Sequence, residues 1–113
     1  MKYISFAIPC YNSQDYMERC INSLLPGGED VEIIIVNDGS TDATAQIADD
    51  YAARYPGIVR AVHKKNGGHG SGVNKGLELA TGAYFKVVDS DDWLDETAYA
   101  RLLARIRGFC VRK

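Results

Sequence analysis

Strand-like and helix-like periodicities alternate four times along this chain, and no other feature limits its possible folds so severely. A short apolar, partly β-branched run over 3–8 ends at Pro9 and reads as a strand buried on both faces. Behind Ser13, a capping residue, Tyr16, Met17, Cys20, Ile21, Leu24 and Leu25 recur at helical spacing until Pro26-Gly27-Gly28 stops them. Residues 31–36, with three consecutive isoleucines, form the clearest strand. The turn 37–42 then caps a helix whose apolar stripe is Ala45, Ile47, Ala48, Tyr51, Ala52 and Tyr55. After Pro56-Gly57 the spacing predicts a strand over 58–63, a glycine-rich loop over 64–72, a helix over 73–80 and a strand over 83–88. A last helix covers about 95 to 107.

Alternation of this kind closes most economically into a parallel sheet with helices on both faces, joined by right-handed crossovers. The fold class is therefore α/β, a three-layer α/β/α domain with a mainly parallel sheet of about four strands. Ligands of such open sheets bind beyond the carboxyl ends of the strands, near the point where strand order reverses. Those ends are 9–12, 37–42, 63–72 and 89–92, and every unusual residue cluster lies at one of them.

With 113 residues the chain is one domain, and a net charge of −2 gives no electrostatic footprint for nucleic acid. Arg101, Arg105, Arg107, Arg112 and Lys113 read as a solvated helix face. Cys10, Cys20 and Cys110 are odd in number and lack CxxC spacing, which argues against a disulfide framework or zinc site and fits a reducing cytoplasm. No apolar run is long enough for a signal peptide or membrane span, so the chain reads as soluble.

Three carboxylates, Asp89, Asp91 and Asp92, crowd the end of the fourth strand. Such a cluster repels itself and attracts a hard divalent ion, Mg²⁺ or Mn²⁺, which binds through one or two carboxylates plus the phosphates of a substrate. Capping the next helix with Asp91, Asp92 or Asp95 accounts for one acid and not three. Asp38, between Asn37 and Gly39, is either a turn residue or an acceptor for the ring N–H of a base such as uracil. Gly67, Gly68, Gly70 and Gly72 form a connector, or a close backbone approach with N–H groups directed at an anion. The stretch contains neither GxGxxG nor a P-loop. His69 reads as a mobile loop residue in preference to a ligand contact, Trp93 as core in preference to a sugar-stacking ring, Lys75 as a phosphate contact or a solvent-facing residue, and Tyr11 as a packing ring or a surface for stacking a base. A dehalogenase-like phosphatase would need its first acid at Val36, which cannot attack a phosphate.

Ile8-Pro9-Cys10-Tyr11-Asn12, the run from Ile35 to Asp42, Asn66-Gly67-Gly68 through Asn74-Lys75-Gly76, Ala80-Thr81-Gly82 and Val88-Asp89-Ser90-Asp91-Asp92 follow one another in a characteristic order. Together they resemble the signature of family 2 glycosyltransferases, over nearly the whole chain. The resemblance implies a GT-A, Rossmann-like fold, a UDP-sugar donor, Mn²⁺ or Mg²⁺ at a DxD motif, and inverting transfer to an acceptor hydroxyl. It also implies a saccharide or lipid-linked acceptor and a place in cell-envelope or exopolysaccharide synthesis. By position, Pro9 and Tyr11 would line the base pocket, Asp38 would bind uracil, and Asn66, Gly67, Gly68, Asp89 and Ser90 would complete the nucleotide site. Asp91 would be the direct metal ligand, with Asp89 nearer the ribose or a coordinated water.

Many members carry Ala-Arg-Asn where this chain has Gly72-Val73-Asn74, and the family's catalytic base usually lies in a second half. The expectation is that 1–113 is the donor-binding half of a cytoplasmic or membrane-peripheral enzyme. It would bind donor without transferring sugar alone, its base lying beyond Lys113. A non-catalytic nucleotide-sugar-binding module and a receiver-like Mg²⁺-binding α/β domain stand as alternatives. If the strand over 83–88 lies at the sheet edge, its unpaired backbone favours a homodimer through that edge.

Overall fold

A computed structural model of the chain describes residues 2–111; Arg112 and Lys113 lie outside the described residues, as does the side chain of Cys110. The elements are β1 (Ile4–Cys10), α1 (Met17–Leu24), β2 (Val31–Asp38), α2 (Thr44–Arg54), β3 (Val59–Lys64), α3 (His69–Leu79), β4 (Tyr84–Val87) and α4 (Glu96–Val111). A 3₁₀ segment, Leu25–Asp30, leads from α1 into β2. The sheet is four-stranded and parallel throughout, as expected, and its order β3-β2-β1-β4 makes β1 central and β4 an outer strand. No helix among the described residues is long and apolar enough to cross a membrane.

Side-chain alternation along β1 explains the layers. Ile4, Phe6, Ile8 and Cys10 face a core shared with α1, with Ala48 and Tyr51 of α2, and with Tyr99, Leu103 and Ile106 of α4. The Tyr99 ring meets Phe6 edge-on at 5.7 Å while its hydroxyl donates to the Leu24 carbonyl at 2.9 Å. The opposite face of β1 carries Ser5, Ala7 and Pro9, all small, and α3 presses its glycines against it. A Cβ on Gly76 would stand 2.5 Å from Ala7 Cβ, and one on Gly72 would stand 3.1 Å from Pro9 Cβ.

That packing corrects the expected loop over 64–72. α3 begins at His69 and takes Gly70 and Gly72 into the helix, because close approach to the sheet outweighs the roughly 1 kcal/mol that glycine costs in a helix. Ser13 is not the cap of α1: its carbonyl accepts the N–H groups of Tyr16 and Met17 in a preceding turn, Tyr16 holds the cap position, and Leu25 belongs to the 3₁₀ segment. α4 also runs past its expected end, through Gly108 to Val111.

On the α3 face, buried Glu32 ties three elements together. Its Oε1 accepts from Ser5 Oγ at 2.8 Å, Thr81 N at 3.0 Å and Thr81 Oγ1 at 3.1 Å, with Arg60 3.6 Å from Oε2. Burial disfavours the charged carboxylate, but these donors outweigh it and hold its pKa below the usual range. A carboxyl whose pKa is depressed on folding contributes stability above its unfolded pKa, about 4.3, and that contribution disappears as pH falls through the lower folded value. Glu32→Ala is expected to cost about 2–3 kcal/mol at neutral pH and to flatten the loss of stability below about pH 4, measured by urea unfolding across pH. Glu32→Gln keeps an Oε1 acceptor and should cost less.

β1 and β4 pair from Ile4↔Tyr84 to Ala7↔Val87, and Val88 N adds one bond to the Ala7 carbonyl. Two residues further along β1, the position that should face β4 is Pro9, which has no N–H to give. The ladder ends there, and a crevice opens at the reversal point of the strand order.

Candidate functional site

The crevice is a cavity of about 320 Å³. Pro9, Cys10, Tyr11, Ser13 and Tyr16 line it from the β1 side, Asp38 from β2, Asn66, Gly68 and His69 from the β3–α3 connection, and Asp89, Ser90 and Asp91 from the turn after β4. All the site residues expected from sequence are thus brought together except Gly67, which stands behind the wall. Sequence reasoning missed Cys10, Ser13 and Tyr16, and for His69 it preferred a mobile loop to a ligand contact. The signal for the first three was position, at the end of β1 or in the segment that follows it, and not residue type.

Asp38 anchors one end. Its Oδ1 accepts from Lys64 Nζ at 2.9 Å and Gly67 N at 2.8 Å, and its Oδ2 accepts from Gly68 N at 2.9 Å. Burial opposes the charge, yet the Lys64 hydrogen bond and the two backbone donors hold the carboxyl below its ordinary range. The glycine N–H groups do point at an anion, as the sequence suggests, but that anion is Asp38. Gly68 has φ 92° and Gly39 has φ 71°, and a Cβ on Gly39 would stand 2.7 Å from Asn66 N, so both turns need glycine.

Short polar side chains brace the other loops. Ser13 Oγ lies 2.8 Å from Ser90 Oγ and accepts from Tyr11 N, while Ser13 N donates to Thr44 Oγ1 at 2.8 Å. Asn12 adopts φ 48°, donates its N–H to Ser40 Oγ and accepts from Thr41 N. The loop after β1 and the acidic turn are therefore joined through Ser13. Among the described residues no buried side-chain N or O lacks a partner. Cys10 and Cys20 are free and buried, and burial pushes both thiols up to about 12, which keeps them protonated and inert.

At the acidic end the capping role falls to Asp95, whose Oδ2 accepts from Ala98 N, while Asp92 accepts from Trp93 N. The carboxylates of Asp89 and Asp91 accept no backbone N–H among the described residues. Asp89 Oδ1 is instead 2.8 Å from His69 Nε2, so His69 opens α3 with its ring on the acidic turn and is not a loop residue. No three His, Cys, Asp or Glu converge on one point among the described residues. The donor set fits a hard cation that draws its remaining oxygens from substrate phosphates and water.

Tyr11 is 52% exposed and offers a ring face to the cavity. Trp93 is not core: it is 45% exposed, with the Arg19 guanidinium 3.4 Å from its ring centroid. Lys75 lies 3.6 Å from Glu78 on the surface of α3.

The chain matches the model of Glycosyl transferase family 2 over residues 5–109. It is 42% identical over 100 residues to the uncharacterized glycosyltransferase EpsJ of Bacillus subtilis, covering 88% of this chain and 29% of EpsJ. To the poly(ribitol-phosphate) beta-glucosyltransferase of Bacillus spizizenii it is 39% identical over 102 residues, covering 87% of this chain and 16% of that protein. The chain thus spans less than a third of the length of these curated relatives. Among solved structures, S. aureus TarS 1-349 in complex with UDP-GlcNAc aligns with a TM-score of 0.79 and 32% identity, covering 96% of this chain and 32% of that one. The parallel sheet and its helices match that neighbour's GT-A fold. With its fold and almost its whole length in agreement, this chain belongs to glycosyl transferase family 2.

Proposed function

We propose that this chain binds a UDP-sugar in the rim cavity and presents the sugar for transfer, with inversion, to an acceptor hydroxyl in the assembly of a surface polysaccharide. One observation carries the reading: a single cavity is lined by the aromatic Tyr11, by Asp38 with most of its acceptor positions filled, and by Asp89 and Asp91 of the turn after β4. The family assignment and the UDP-GlcNAc held by TarS support it.

Pro9 and the Tyr11 ring form the flat apolar wall for the base. The position left on Asp38 Oδ2 accepts the uracil ring N–H. The first N–H groups of α3, which have no partner within the helix, start at His69, a residue of the cavity lining, and suit the diphosphate. Asp91, with Asp89 beside it, would hold Mn²⁺ or Mg²⁺, which when bound supplies charge neutralisation at the departing diphosphate. Ser13 and Ser90 keep the base wall and the acidic turn at a fixed separation.

Calorimetry with UDP tests this directly. Binding is expected to be weak without metal and tighter with Mn²⁺, and Asp91→Asn should remove at least about tenfold of the Mn²⁺-dependent gain while leaving metal-free binding in place. Absence of UDP binding in the presence of Mn²⁺ would sink the reading.

A further inference from the structure

Lys64 ends β3 with its ammonium group beneath the cavity wall. It donates to Asp38 Oδ1 at 2.9 Å and to the Lys65 carbonyl at 2.6 Å, and its side chain is only 20% exposed. Gly67 N takes the second position on Oδ1, and Gly68 N takes one on Oδ2. A carboxylate offers about four acceptor positions. Three are therefore filled from within the chain, and the one that remains is on Oδ2 of a residue that lines the cavity.

Nucleobases differ in the donors they set side by side. Uracil has one ring N–H flanked by two carbonyls. Guanine sets a ring N–H next to an exocyclic amino group, a pair that needs both oxygens of a carboxylate. The protein groups that meet the Asp38 carboxylate, Lys64 Nζ, Gly67 N and Gly68 N, are all donors, which suit carbonyls beside a single N–H and offer no acceptor to a second N–H. We infer that Lys64 is a specificity-determining residue: by filling Oδ1 it restricts Asp38 to a base with a single ring N–H, so that uracil nucleotides are taken and guanine nucleotides refused. The same contacts keep Asp38 an acceptor by favouring its charged form. The inference rests on the donor-site reading above and adds the group that enforces its choice of base.

The test is a calorimetric comparison of UDP, GDP and inosine diphosphate, with Mn²⁺ present, on the wild-type chain, Lys64→Met and Lys64→Arg. Inosine diphosphate is guanine's counterpart without the amino group, so it probes the inference with no substitution in the protein. The wild-type chain is expected to bind inosine diphosphate about tenfold more tightly than GDP, since GDP leaves a donor unpaired, and UDP more tightly than either. Lys64→Met should narrow the UDP-to-GDP ratio by about tenfold, mainly through a gain for GDP, and Lys64→Arg should restore the ratio. If the wild-type chain binds UDP but accepts GDP as well as inosine diphosphate, or if the ratio is unchanged in Lys64→Met, the role of Lys64 is overturned and the donor site stands. Failure of the wild-type chain to bind UDP at all would overturn the donor site itself.

Discussion

Asp38→Ala is expected to lower UDP affinity by at least about 100-fold and to destabilise the fold by about 3 kcal/mol, both from the loss of one carboxylate. Removing it leaves the Lys64 ammonium, largely buried, without its counter-charge, and the N–H groups of Gly67 and Gly68 without an acceptor. The β3–α3 connection is then no longer tied to β2, and the wall formed by Asn66 and Gly68 loses its position. Asp38→Asn separates the two losses. It keeps the volume, but its amide nitrogen must face a donor, either Lys64 and Gly67 or Gly68, so binding falls further than stability does. Calorimetry with UDP and chemical denaturation on the same samples give both numbers. A wild-type affinity in Asp38→Ala would show that the base is not read from β2.

Gly76→Val should be the most damaging single change away from the cavity. The Cβ alone would stand 2.5 Å from Ala7 Cβ, on the central strand, and the two valine methyls have no room to turn aside. The helix must lift from the sheet, at a cost of about 3 kcal/mol, which lowers Tm by roughly 10 °C in a domain of this size. Gly70→Ala provides the contrast on the same helix. A Cβ there meets nothing within 4 Å, so the higher helix propensity of alanine should leave stability unchanged or raise it by up to about 1 kcal/mol. Thermal melts of the two variants side by side test the packing; equal melting temperatures would contradict it.

The elements set by burial were legible in the sequence. The isoleucine run gave β2, and the small residues after each strand marked the rim where the cavity lies. The start of α3 was not, because glycine's low helix propensity argues for a loop and only the contacts of Gly72 with Pro9 and Gly76 with Ala7 reverse that argument. The direction of the loop N–H groups followed from local chemistry, while the identity of their anion did not. Asp38 and Gly67 are far apart in sequence, and only the register between β2 and β3 places them together. His69 and Trp93 were misread for the same reason. Each contacts a partner, Asp89 or Arg19, that local pattern cannot supply.

The sheet order has a consequence for how the molecule is made. Among the four strands β1 comes first in the sequence but lies in the middle of the sheet, and its second neighbour, β4, follows it only after β2 and β3. A nascent chain that has reached α3 can already close β3-β2-β1 and the Asp38 cradle, while one side of β1 waits for a partner from distant sequence, the slow kind of pairing in parallel sheets. Asp89 and Asp91 arrive only with that partner. In the proposed site the base end therefore forms before the acidic end, and a nucleotide response that depends on a divalent ion would report that β4 has joined β1.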